Sequence, residues 1–203
     1  MKAPQKIAVV GPLPPVRSGI ARHTCAIAHA LAARGDLSVK VWTFTRQYPK
    51  FLYPGEAETD DGLAPPENLD IRNTIDGVNP LTWGRTAGEI NDFAPDLLVI
   101  PAWTFFLAPA LGRIAGLVRQ AGAQCCTVVH NAFDHEASAW KEKLSLWQLA
   151  KTDRFVTHND GLAKELSENF PNTRIDVFPH PVFDDLPQPA GTLSREAELE
   201  LLF

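Results

Sequence analysis

No stretch of this chain carries the roughly 20 consecutive apolar residues that a membrane helix needs, and nothing in it reads as a spanning segment. The opening MKAPQKIAVVGPLPP has too short an apolar run for a signal peptide and reads as a strand. Cysteine is scarce, three in 203 residues. With an odd count, and with Cys125 and Cys126 adjacent, a disulfide framework is disfavoured and reduced, buried thiols are expected. Positive charge is not in excess either. The formal net charge is −5, which removes the broad attraction to nucleic acid or anionic lipid and leaves only local basic spots for a phosphate. Several chemical signatures are also missing. No G-x-S-x-G occurs. A dinucleotide fingerprint counted from Gly11 fails at Leu13 and Val16, and no Gly-Lys-Ser/Thr follows to make a P-loop. A zinc-protease motif begins at His135-Glu136 but meets Ala139 where its second histidine belongs.

What is present is an alternation. Short apolar runs, KIAVVG, LSVKVWTF, DLLVIPAW, QCCTVVH, DRFVTH and RIDVFPH, are separated by helical periodicities of about 10 to 15 residues. An unbroken apolar run makes sense only if both faces of the strand are covered, as in a parallel sheet. The spacing predicts helices over 20–34, with Gly35 to stop it, over 80–94, ending before Pro95, and over 107–121, with Gly122 to stop it. Further helices are expected in SAWKEKLSLWQLAKT and GLAKELSENF, and LDIRNTI reads as a short extra strand. The fold class is therefore α/β, a doubly wound and mostly parallel Rossmann-like sheet. The segment 45–68 reads as a long loop, and Trp42, Phe51 and Tyr53 near it offer aromatic faces for an acceptor or simply pack at the surface. Residues 1–185 form one domain in this reading, followed by a linker over 186–203.

In an open parallel sheet, ligands bind beyond the carboxyl ends of the strands. His130, His158 and His180 all stand at such ends, His135 follows five residues after His130, and His23 lies one turn into the first helix. The loop after the first strand brings Arg17, Ser18, Gly19 and Arg22 to that helix's positive start, where a glycine lets an anion approach the backbone. The stretch VVHNAFDHE adds Asn131, Asp134 and Glu136. His130, His135 and Glu136 have no recognised zinc spacing, so no metal is expected, and hydrogen bonding to a hydroxyl-rich ligand is the favoured use. Asp134 or Ser138 also suits the cap of the following helix.

The ordered set PLPPVRSGIARHT, NPLTWGRTAGEINDFAPDLLVIPAWTFFLAPALGRIA, VVHNAFDHE, TDRFVTHND and VFPHPVFDD resembles the N-terminal half of the GT-B-fold glycosyltransferases of group 1, or family 4. The resemblance runs from Lys6 to about Asp185. It implies an acceptor-side domain facing a second, donor-binding domain, and retaining transfer of a sugar from a nucleotide-sugar to a glycan or lipid-linked acceptor. By the same resemblance Gly19 and Ser18 reach the donor diphosphate, with Arg17 or Arg22 nearby. His130 lies at the transferred sugar. Asn131, Asp134, His135, Glu136 and His158 are further sugar or acceptor contacts. Asp134 stands where the related pattern has a proline before its His-Glu pair. Neither metal nor cofactor is implied. Polysaccharide or envelope glycan synthesis is expected, in the cytoplasm or at the inner face of a membrane. ELELLF near the end reads as the start of the second domain, so these 203 residues alone are expected to be inactive. The competing reading is a non-catalytic Rossmann-like binding module.

Overall fold

A computed structural model describes residues 6–49, 67–131 and 139–180. The elements in chain order are β1 (Lys6–Val10), α1 (Gly19–Ala32), β2 (Ser38–Arg46), β3 (Asp70–Asp76), α2 (Pro80–Phe93), β4 (Leu97–Ala102), α3 (Ala108–Gln120), β5 (Gln124–Val129), α4 (Ala139–Leu149), β6 (Arg154–Thr157), α5 (Asp160–Asn169) and β7 (Arg174–Val177). The strands form a seven-stranded sheet in the order β3-β2-β1-β4-β5-β6-β7, and every pairing is parallel. This is the doubly wound arrangement that the alternation predicts.

β1 shows why an all-apolar strand is needed. Successive side chains point to opposite faces, so Ile7 and Val9 enter the core under α1, with Val41, Val99 and Ala28. Ala8 and Val10 enter the other core, with Ile90 of α2 and Leu111, Ile114 and Val118 of α3. A third cluster, Val129, Leu149, Phe155 and Leu166, packs α4 and α5 against β5 and β6. Each fully buried side chain of this kind stabilises the fold by roughly 1.5–3 kcal/mol relative to exposure.

The helix starts follow local chemistry. Ser18 is extended and its hydroxyl accepts from the Ala21 N–H at 3.0 Å, which caps α1. Asn79 caps α2 with Pro80 behind it, and Asn159 caps α5 by accepting from the Leu162 N–H at 2.8 Å. Two expectations need correction. Gly35 does not stop α1, which ends at a right-handed Ala33 cap whose N–H bonds back to the His29 carbonyl. Trp42 is not available to an acceptor: it is 2% exposed and packs against Phe93 inside the sheet. Phe51 and Tyr53 lie outside the described residues, as do the linker over 186–203 and ELELLF. No described helix is long and apolar enough to cross a membrane.

The strand order reverses between β1 and β4, the usual place for a ligand crevice in such sheets. There the β1–β4 ladder stops at Val9–Val99, while β4 stays paired with β5 as far as Ala102–Val129. Pro101, which has no N–H to give, is accommodated past the end of that ladder. Gly11, at the mouth of the crevice, lies so close to α1 that a Cβ there would sit 2.8 and 2.9 Å from the two branches of Thr24.

Candidate functional site

α1 and the segments that follow β5, β6 and β7 each bring one histidine to a single place. His23 is on the second turn of α1, His130 follows β5, His158 follows β6 and His180 lies three residues past β7. The His23 ring centroid is 4.6 Å from that of His130 and 4.8 Å from that of His158. His130 and His158 are 5.0 Å apart, and His180 stacks on His158 at 3.9 Å. The backbone fixes these positions. The His130 N–H donates to the Ala102 carbonyl at 2.9 Å. His158 is the whole connection between Thr157 at the end of β6 and the Asn159 cap of α5.

The imidazoles are poorly provided with partners. Nδ1 of His158 is 3.0 Å from the Phe178 carbonyl, to which it donates, so its Nε2 carries the lone pair. That Nε2 is buried and has no hydrogen-bond partner among the described residues, and neither has Nδ1 nor Nε2 of His130. Each buried polar atom left so costs about 1–3 kcal/mol. Four rings in contact would repel if charged. Burial, then the charges of its neighbours His158 and His180, pushes His23 from 6.5 down to about 4. Burial, followed by His23, His158 and His180, pushes His130 to about 3. Burial also lowers His158, against the Phe178 carbonyl that favours its charged form. Near pH 7 His23, His130 and His158 are therefore neutral.

The residues expected from sequence divide into three groups. Ser18, Gly19 and Arg22 stand at the start of α1, one turn from His23, and a Cβ on Gly19 would meet nothing within 4 Å. No acid occupies the first turn of that helix to offset its positive end. Arg17 is exposed at the same turn. His130 and His158 are drawn together, while Asn131 is exposed beside them. Asp134, His135, Glu136 and Ser138 lie outside the described residues. Sequence reasoning left His23 and His180 out of the site although it noticed their positions. The signal was the recurrence of histidine after strands; what it lacked was the placement of the α1 start, which puts His23 against His130 and His158.

The thiols take no part. Cys25 is half-buried and carries no disulfide, nor do Cys125 and Cys126. Burial pushes the latter two to about 12 and about 11, which makes them unreactive. A cavity of about 550 Å³ lies elsewhere, between α3 and α4, lined by Arg113, Gln120, Trp147, Lys151 and Asp153 among others. It sits at the amino ends of the strands, away from the histidines.

A family model described as Glycosyltransferase Family 4 matches residues 17–186. Among solved structures, UDP-GlcNAc 2-epimerase from Methanocaldococcus jannaschii has a similar fold at a TM-score of 0.54 and 14% identity, over 85% of this chain and 45% of that one. An alpha-glucosyltransferase in complex with UDP and a 13-mer DNA containing an HMU base is similar at a TM-score of 0.50 and 8% identity, over 84% of this chain and 41% of that one. No curated protein matches. The chain spans less than half the length of these solved structures, and likenesses at such identities show the fold alone.

Proposed function

We propose a sugar-transfer role from one premise: the chain belongs to glycosyltransferase family 4. In this reading it is the acceptor-side half of a two-domain enzyme. The enzyme moves a sugar from a nucleoside diphosphate to an acceptor hydroxyl with retention of configuration. The observation that carries the reading is the meeting, at one rim of the sheet, of an uncompensated helix start and His130.

The leaving diphosphate gains negative charge as the glycosidic bond breaks. The N–H groups of Gly19 and Ile20 have no carbonyl partners within α1 and face where that charge develops. Ser18 shapes the turn by capping Ala21 and keeps its hydroxyl proton to donate. Arg17 and Arg22 add positive charge at the same turn. His130 is neutral, so it accepts from or donates to a sugar hydroxyl without repelling the donor's counter-charges. Neither of its nitrogens touches solvent, so a hydroxyl reaches them only where a neighbouring ring turns. His158 and Asn131, with Asp134, His135 and Glu136 of the following loop, are assigned to the sugar or acceptor. The reaction uses no metal and no cofactor. A net charge of −5 disfavours nucleic acid and suits a glycan or lipid-linked acceptor of polysaccharide or envelope synthesis, at or near the cytoplasmic face of a membrane.

Release of nucleoside diphosphate tests this, in the chain joined to a donor-binding domain. His130→Ala should lower kcat by about 100-fold or more while the melting temperature stays within a few degrees. Unchanged turnover would remove His130 from the site. The 203 residues alone should give no turnover, and a measurable rate from them would overturn the half-enzyme reading.

A further inference from the structure

We propose that His23, His130 and His158 form a binding site for a divalent transition ion of the zinc class. The candidate ligand nitrogens all lie within 4.8 Å of one another. Zinc–imidazole bonds are about 2.0–2.1 Å, so two ligands of a tetrahedral ion sit about 3.4 Å apart. Closing the set thus needs movements of about 1.5 Å or less between nitrogens, within the reach of ring rotation on a fixed backbone.

Three features distinguish this cluster from packed histidines. First, imidazoles packed for stability bond to one another or to carbonyls, whereas His130 bonds to none of the three rings around it. Second, the His158 Nδ1–H donates to the Phe178 carbonyl, which fixes the tautomer and presents an unpartnered Nε2 lone pair to the cluster. A second hydrogen bond of this kind is what orients histidine ligands in metal sites. Third, the ligands come from α1 and from the ends of β5 and β6, elements held by the sheet. His180 lies on the face of His158 and is exposed, so it supports that ring from outside. A three-imidazole set selects borderline ions such as Zn²⁺, Co²⁺ or Ni²⁺ over Mg²⁺, which prefers oxygen. With three protein ligands, a fourth position is left for water or a substrate oxygen.

The site stands without the transfer reading. One consequence does rest on that reading: an ion here withdraws His130 from the sugar, so it acts as a brake on transfer and not as its cofactor.

The test is calorimetric titration of the chelator-treated 203-residue chain with zinc chloride. One ion should bind per chain and persist in a large excess of Mg²⁺. Affinity should fall about 100-fold or more in His130→Ala and in His158→Ala and stay unchanged in His29→Ala, whose side chain is exposed on α1 outside the cluster. No binding, displacement by Mg²⁺, or affinity held within about threefold in both cluster variants would overturn the site. Cobalt gives a reading that needs no variant. A tetrahedral nitrogen site produces visible d–d absorption, and its absence at saturating Co²⁺ would equally overturn the proposal.

Discussion

The two rims of the sheet are built from different materials. At the amino ends most of the described polar groups are matched, with the buried Asn91 Oδ1 the exception. The Lys6 N–H donates to Asp96 at 2.9 Å, and Asp153 accepts from Arg119 Nε at 2.8 Å and from the Cys125 N–H at 2.9 Å. Asp176 is shared by Arg154 and Arg174. At the carboxyl ends of β5 and β6, three imidazole nitrogens have no hydrogen-bond partner among the described residues. The matched rim closes the fold, and its pairs sit at the surface where each contributes little. The unmatched rim gives up stability and keeps its lone pairs for a ligand. The contrast is one of density: three unpartnered imidazole nitrogens meet in one cluster at the carboxyl ends, against a single amide oxygen at the amino ends. The cavity between α3 and α4 is at the matched rim, and its Arg119 and Asp153 satisfy each other, so size alone does not locate a site.

Loss of the α1 docking should break the comparison most severely. Gly11→Ala puts a methyl group within 3 Å of both Oγ1 and Cγ2 of Thr24, so turning the threonine exchanges one clash for another. Gly11 also has a φ of +157°, which a side chain rarely adopts. The expected cost is about 2–3 kcal/mol, read by chemical denaturation. Because α1 carries His23 and Gly19, zinc affinity should fall in the same variant. A variant of full stability would show that α1 is free to shift, and the unmatched rim would lose its rigidity.

Acid should separate the rims by pH. Folding lowers the affinity of His23 and His130 for protons, so the unfolded chain takes up more of them below 6.5. Stability in chelator-treated protein is fully present above about pH 6.5 and falls as the pH drops toward the folded values of about 4 and about 3. From pH 7 to pH 5 the loss should be roughly 2 kcal/mol for each of the two histidines, about 4 kcal/mol as an upper bound. Asp176 acts in a lower window with the same sign. Its hydrogen bond from Arg154 holds the carboxyl below its usual 3.8, so its contribution is present above that value and disappears only as the pH falls below it. Denaturation followed against pH in a His23→Gln variant should lose much of the upper step and keep the lower one. An upper step of undiminished size would assign it to other groups.

Much of this was legible in the sequence because it depended on local pattern. KIAVVG must be a covered strand whatever surrounds it, whereas the caps at Ser18, Asn79 and Asn159 emerged only with the structure. His130 and His158 could be placed at a common rim once the strands were parallel. Trp42 was misjudged from its nearness to a loop. Its parity was the better guide: Trp42 and Phe44 share a face and enter one core, while Val39 and Val41 enter the other. The join of His23 to the site depends on how α1 crosses the sheet, which no periodicity encodes. The absence of a metal motif was likewise a statement about spacing along the chain, whereas His23, His130 and His158 meet across three separate elements.

The smallest effect belongs to the matched rim. Arg174→Ala removes one of two arginines on Asp176, and its side chain is 67% exposed. Water already screens this pair, and Arg154 still holds the carboxylate after the change. The expected loss is under about 0.5 kcal/mol, with zinc affinity unchanged. The result is informative because of its size. Charge pairs at the amino ends can be thinned one at a time without moving the imidazoles, since the backbone ladder from Arg154–Arg174 to Thr157–Val177 carries the register by itself. If zinc affinity nevertheless fell in Arg174→Ala, β7 would be held in place by its ion pairs, and the two rims would be one mechanical unit instead of two.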